Sequence, residues 1–159
     1  MRGYGSSMTA YPQSGSASVD IDATPEVVWT LISDVTRMAE WSPECIRAEW
    51  VDGTAPKVGA EFHGYNRLGT VEWDMRCVVT ECEPMQRFAF SVPPESPHAT
   101  LWCFEITRNG TGSRLTESFD APIINVEGSV GNYPERCDML VEGARTTLQN
   151  IKASAEANH

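Results

Sequence analysis

Two polar residues, Asn66 and Glu117, stand where an apolar side chain is expected, and chemistry would run through them. Each falls on the apolar phase of an alternating segment. Asn66 is in line with Phe62 and Leu68, and Glu117 with Leu115 and Phe119. Alternation of this kind assigns one set of side chains to a buried face. A carboxylate facing a closed apolar core would cost several kcal/mol of desolvation. It persists there if it is protonated, if it is paired, or if it lines a space wet enough to solvate it. A place near a rim, or a bulge that shifts the register, would explain it equally well. In a cavity, Glu117 suits a general acid or base whose pKa is raised by apolar surroundings. Asn66 then suits orienting or polarising a substrate carbonyl, unless its amide bonds loop backbone instead. These two are the candidate catalytic residues.

The residues around them have the make-up of a ligand pocket. Trp41, Phe62, Trp73, Met75, Phe90, Trp102, Phe104 and Phe119 are candidate lining groups, with Cys137, Leu140 and Val141 from the last helical segment. Large aromatics often form plain core. Aromatics mixed with a few convergent polar groups are also what small-molecule sites look like. His63 has outward parity, beside Glu61 and Tyr65, and reads as a solvated strand residue. No Ser/His/Asp or Cys/His arrangement is defensible from spacing, and there is no Gly-rich phosphate loop. The five cysteines contain no CxxC pair and none has a histidine at zinc-finger spacing. No metal and no cofactor is expected.

These residues must be positioned by strands followed by a helix. Residues 18–22 alternate as a strand. Thr24 is a candidate N-cap, Pro25 suits a first helical position, and Glu26 complements the helix dipole. Val28, Leu31, Ile32 and Val35 continue with helical spacing, and a second short helical piece covers 35–40 before Pro43. Strand signals follow at 45–51, 60–68, 71–82, 87–92, 99–108 and 113–121. Leu68-Gly69-Thr70 and Asn109-Gly110 are hairpin turns. The inward sets are Val71, Trp73, Met75, Cys77 and Val79; Phe88, Phe90 and Val92; Trp102, Phe104 and Ile106; and Ile46, Ala48 and Trp50. A final helix opens near Tyr133. Its stripe of Cys137, Leu140, Val141, Ala144, Leu148, Ile151 and Ala155 repeats every three or four residues. The expected fold is α+β: a curved seven-stranded antiparallel sheet gripping a long C-terminal helix, with two short helices after the first strand. Residues 122–132, with Gly128 and Gly131, form a connection beside the expected entrance.

Composition limits the partners. A chain of 159 residues with 41% apolar content fits one domain, here 16–159, preceded by a flexible tail over 1–15 in which Met8 is a second candidate start. The net charge is −10, with 12 Lys and Arg against 22 Asp and Glu. Scattered bases argue against nucleic acid and against anionic membrane surfaces. No apolar run approaches the ~20 residues of a membrane span, so membrane insertion is not expected. An odd number of cysteines without a secretory signal points to reduced thiols in a cytoplasm. A monomer or homodimer is expected.

At this point the chain resembles the helix-grip (SRPBCC) superfamily of START-like domains and pollen-allergen-like proteins, nearest its bacterial polyketide cyclase/dehydrase-like branch. The resemblance rests on Ala23 to Trp29, Met38 to Pro43, Val58 to Phe62 with Gly64, Asn66 and Arg67, Glu83-Pro84, Arg87 to Phe90, Gly112 to Ser118, and Thr147-Leu148 to Lys152 with Glu156. It implies a deep hydrophobic cavity under the C-terminal helix. It also implies a lipid-, steroid- or polyketide-like ligand, with aldol cyclisation or dehydration in some members. No universal catalytic motif carries over. Three functions are therefore open: binding of a hydrophobic small molecule, a polyketide cyclase or dehydratase that uses Glu117, and an interaction module of the chaperone-activator type.

Overall fold

Thr24, Pro25 and Glu26 open a helix as their types dictate. In the computed structural model, which describes residues 13–53, 56–94, 99–121 and 133–157, helix α1 spans Pro25–Ile32. The Thr24 hydroxyl accepts the Val27 amide, and Val28, Leu31 and Ile32 are buried. Ser33 ends the helix, its hydroxyl donating to the Trp29 carbonyl at 2.7 Å. Asp34 then caps a 3-10 helix, Val35–Glu40, by accepting the Thr36 amide at 3.1 Å.

Seven strands surround these helices in sequence: β1 Gln13–Ile21, β2 Cys45–Trp50, β3 Glu61–Leu68, β4 Val71–Glu83, β5 Arg87–Val92, β6 Thr100–Asn109 and β7 Gly112–Ala121. They form one sheet in the order β1-β7-β6-β5-β4-β3-β2. All six pairings are antiparallel. The hairpins turn where expected, with Gly69 at φ 63° and Gly110 at φ 64°, a left-handed conformation that glycine adopts without a Cβ penalty. Helix α2, Tyr133–Ala157, closes the open face.

The helix lies nearest β1, where small residues let it approach. A Cβ on Gly15 would stand 2.6 Å from Val141 Cγ2 and 2.9 Å from Phe119. Beyond this contact the second half of α2 is packed solidly. Ala144, Thr147, Leu148, Ile151 and Ala155 are all buried, at the spacing of three and four that the stripe requires. Phe62, Phe88, Phe104, Ile106 and Leu115 fill the sheet side of the same core.

Three expectations are corrected. β1 starts at Gln13, so residues 13–15 belong to the sheet and not to a tail. A bulge between Cys45 and Arg47 rephases β2. Cys45 and Ala48 therefore face inward, while Ile46 is 43% exposed. Val71 shares the inward parity of β4 but sits at a hairpin end beyond the reach of the core, 46% exposed. The remaining inward sets hold. Residues 1–12 and the connection at 122–132 lie outside the described residues.

Gly112 is buried at the start of β7, and a Cβ there would meet the Ile21 carbonyl oxygen at 2.5 Å. Both groups are backbone, so neither can swing away. Gly112→Ala is expected to destabilise the fold by about 1–3 kcal/mol. Gly143→Ala, in the middle of α2 with Pro43 Cγ at 3.5 Å as the one close neighbour among the described residues, is expected to be neutral or up to ~1 kcal/mol stabilising. Urea midpoints of the two variants check the contrast.

Candidate functional site

Glu117 faces the helix side of the sheet, as its parity demands. Along β7 from Ser113 onward the buried residues are Ser113, Leu115, Glu117, Phe119 and Ala121, while Arg114, Thr116, Ser118 and Asp120 are not fully buried. Its register partners are Ala17 on β1 and Phe104 on β6. Glu117 is 9% exposed, and its Oε1 is buried without a hydrogen-bond partner among the described residues. Burial alone drives its pKa up to about 8. A carboxyl in this setting holds its proton at neutral pH, because burial disfavours the ionised form and no charged group among the described residues supports it.

Aromatic rings run along the strands of the sheet from β7 to β2. Trp102 and Phe119 are register partners with ring centroids 5.1 Å apart. Phe62 and Phe90 meet edge-on at 5.0 Å, and Trp50 packs edge-on against Phe62 at 5.6 Å. The apolar residues here are not uniformly buried. Trp73, Met75 and Trp102 on the inner face of the sheet are half-buried, as are Cys137, Leu140 and Val141 on the first half of α2. The first half of the helix thus meets an incompletely covered apolar belt, in contrast to its second half. Trp41 is buried, as are Phe62, Phe90, Phe104 and Phe119 among the expected lining groups. Trp41 is 4% exposed inside the core, and its carbonyl accepts the Asn150 side-chain amide at 3.0 Å.

Asn66 sits elsewhere on the same inner face. It is half-buried on β3, in register with Cys45 and Trp73. Four inter-strand steps separate β3 from β7, roughly 19 Å along the sheet. No hydrogen bond links Asn66 to Glu117.

Near Asn66 lies a polar contact that sequence reading missed. Arg136, in the first turns of α2, makes two hydrogen bonds to the Glu44 carboxylate at 2.6 and 2.8 Å. The two side chains are only 12% and 17% exposed. The same guanidinium lies over the Trp73 ring, 5.8 Å from its centre. Ninety-two positions separate the partners, so no local pattern could have paired them. Arg136→Ala is expected to cost about 1.5–3 kcal/mol, since it strips a nearly buried carboxylate of both donors. Arg145→Ala, whose Glu142 contact is solvent-exposed, should stay within about 0.5 kcal/mol. Equal unfolding midpoints for the two variants would show that the Glu44 contact does not hold the helix start.

Other polar groups have structural partners. His63 and Asp74 are hydrogen-bonded on the outer face, with His63 against Tyr65 at 4.9 Å and Arg47 over Tyr65 at 4.0 Å. A surface cleft near Asp20, Asp22, Asn109 and Lys152 is closed by its own contacts: Asn109 donates to Asp20, and Lys152 donates to the Asp20 carbonyl and to Glu156. Burial raises the Cys45 thiol and pushes Cys77 up to about 12, so neither supplies a thiolate at neutral pH. Among the described residues no group of His, Cys, Asp and Glu could hold a metal ion. No described helix is long and apolar enough to cross a membrane.

This architecture has known counterparts. A polyketide-cyclase-like protein of Corynebacterium glutamicum is 27% identical, with 95% of this chain and 98% of that one covered, at a TM-score of 0.64. The di-domain ARO/CYC StfQ of the steffimycin biosynthetic pathway is 14% identical at a TM-score of 0.74; 92% of this chain aligns, and it spans 52% of that protein. Major latex-like protein 151 of Panax ginseng is 14% identical, with 91% and 98% covered, at a TM-score of 0.68. The latter two likenesses concern the fold alone. No curated protein sequence matches. The sequence model of one family, described as polyketide cyclase / dehydrase and lipid transport, matches residues 12–156, and the chain belongs to that family.

Proposed function

We propose that the chain binds a hydrophobic small molecule of lipid, steroid or polyketide type between the inner face of the sheet and the first half of α2. The half-buried apolar belt of Trp73, Met75, Trp102, Cys137, Leu140 and Val141 carries this reading. Apolar side chains that face a helix yet keep water contact gain when an apolar guest covers them, at roughly 25 cal/mol per Å². Phe62, Phe90, Phe104 and Phe119 form the floor of the proposed site, and Trp41 supports it from the core. Family membership and the ARO/CYC neighbour favour a ligand-binding use of this fold. Native mass spectrometry of the purified chain with a panel of hydrophobic ligands is expected to show a one-to-one complex. Failure of every member to bind would remove the proposal.

One observation favours a second reading, a cyclase or dehydratase. Glu117 is a buried carboxyl whose pKa lies near neutrality, as general acid–base work requires. In this reading Glu117 moves the proton, and Asn66, at the far end of the belt, holds a distant carbonyl of an elongated substrate. On an accepted substrate, Glu117→Gln would lower turnover about 10²–10⁴-fold. Unchanged turnover in a folded variant would exclude Glu117 from the reaction.

A further inference from the structure

Glu117 has one buried oxygen, Oε1, with no hydrogen-bond partner among the described residues. Its neighbours across the sheet are Ala17 and Phe104, and along its own strand Leu115 and Phe119 occupy the same face. None of these side chains can donate or accept a hydrogen bond. The buried face of α2 over the core, Ala144, Thr147, Leu148 and Ile151, carries no titratable group. The basic residue at the start of α2, Arg136, is engaged by Glu44. Among the described residues, an ionised carboxylate therefore has no counter-charge and no donor hydrogen-bonded to its Oε1, whereas a neutral carboxyl has one unmet need, an acceptor for its O–H.

Building on the proposed ligand site, we infer that Glu117 sets the charge class of the ligand: it donates a hydrogen bond to an acceptor oxygen, such as a ketone carbonyl, on an uncharged aromatic body, and it turns carboxylate-headed lipids away. A carbonyl satisfies the O–H without bringing charge into the wall. A ligand carboxylate would be desolvated with no cation to meet it, and would face like charge once Glu117 ionised. A protonated amine could pair with the ionised form, but two ions would lose their hydration for one contact, which roughly cancels the gain. Removing an acceptor from a buried donor commonly costs tenfold or more in affinity. The pKa of about 8 adds a direction. The donor is present below that pH and lost above it, so the preference for a carbonyl fades as the pH rises.

A matched anthracene series tests this with the full chain: 2-acetylanthracene, 2-ethylanthracene, anthracene-2-carboxylate and 2-(aminomethyl)anthracene, titrated by fluorescence at pH 6.5 and 9.5. At pH 6.5 the ketone is expected to bind about tenfold tighter than the ethyl compound and tighter still than the carboxylate. At pH 9.5 its advantage over the ethyl compound should shrink severalfold. Glu117→Gln keeps an N–H donor and should retain the advantage at both pH values. Glu117→Leu, an apolar replacement in an apolar wall, should fold and lose it. Equal binding of ketone and ethyl compounds, tighter binding of the carboxylate, or an amine that binds tightest at pH 6.5 would overturn the inference while leaving the ligand site standing. No binding by any of the four would overturn the ligand site itself, and this inference with it.

Discussion

Glu117→Leu is expected to remove a pH dependence of stability that the native chain shows between about pH 4.5 and 8. The ordinary value for this carboxyl is 4.5, and burial raises it to about 8 in the folded chain. The folded state therefore holds the proton more tightly than the unfolded state. The stability this contributes is fully present below pH 4.5, declines as pH rises, and is gone above about 8. By linkage the loss across that window is on the order of 4–5 kcal/mol, a large share of the ~5–15 kcal/mol that stabilises a typical domain. Glu40, Glu61 and Glu81 act oppositely. Hydrogen bonds from Arg37, Arg76 and Arg87 lower their pKa values, so any stability they contribute is lost as the pH falls below 4.5. All three are shared by native and variant chains and cancel in the difference. Urea unfolding from pH 4 to 9 measures both curves. They should converge at low pH and separate at high pH, with Glu117→Leu the more stable. Parallel curves would mean that the carboxyl is solvated, and both the acid–base reading and the donor role would fall with it.

Leu148→Ala is expected to destabilise the chain by about 2–5 kcal/mol, and Leu140→Ala by less than about 1 kcal/mol. The two leucines lie two turns apart on one stripe of α2, so helix propensity and composition are matched. Leu148 is 1% exposed in the core cluster, and its truncation leaves a void that the sheet cannot collapse into. Leu140 is half-buried, so truncation removes less packing. Unfolding midpoints of the two variants read the contrast directly. Equal costs would show that the first half of the helix is packed as tightly as the second, leaving no room for a guest. In that case the ligand-binding proposal would lose the observation that carries it.

Much of this arrangement was readable from local pattern. Thr24-Pro25-Glu26 marked the first helix because a cap, a preset φ and a dipole partner act within one turn. Gly69 and Gly110 marked hairpins because left-handed backbone is a single-residue property. Parity placed Glu117 on the helix side because side chains on a strand alternate whatever the strand pairs with. Errors arose where distant contacts overrode the pattern. The bulge at Cys45 and Arg47 turned Ile46 outward, and a hairpin end left Val71 beyond the core.

Sequence alone therefore determined the kinds of element, their order, and the face on which most side chains lie, since turn chemistry and periodicity act between near neighbours. It also singled out Glu117 as a polar intruder. Only the tertiary structure decided that Ala17 and Phe104 flank that carboxyl without a partner for Oε1, that Arg136 finds Glu44 across the fold, and that the stripe of α2 is buried in its second half and half-buried at Cys137, Leu140 and Val141. Desolvation, ion pairing and packing depend on what surrounds a side chain in three dimensions, and in this sheet those surroundings come from strands and a helix far apart in the chain.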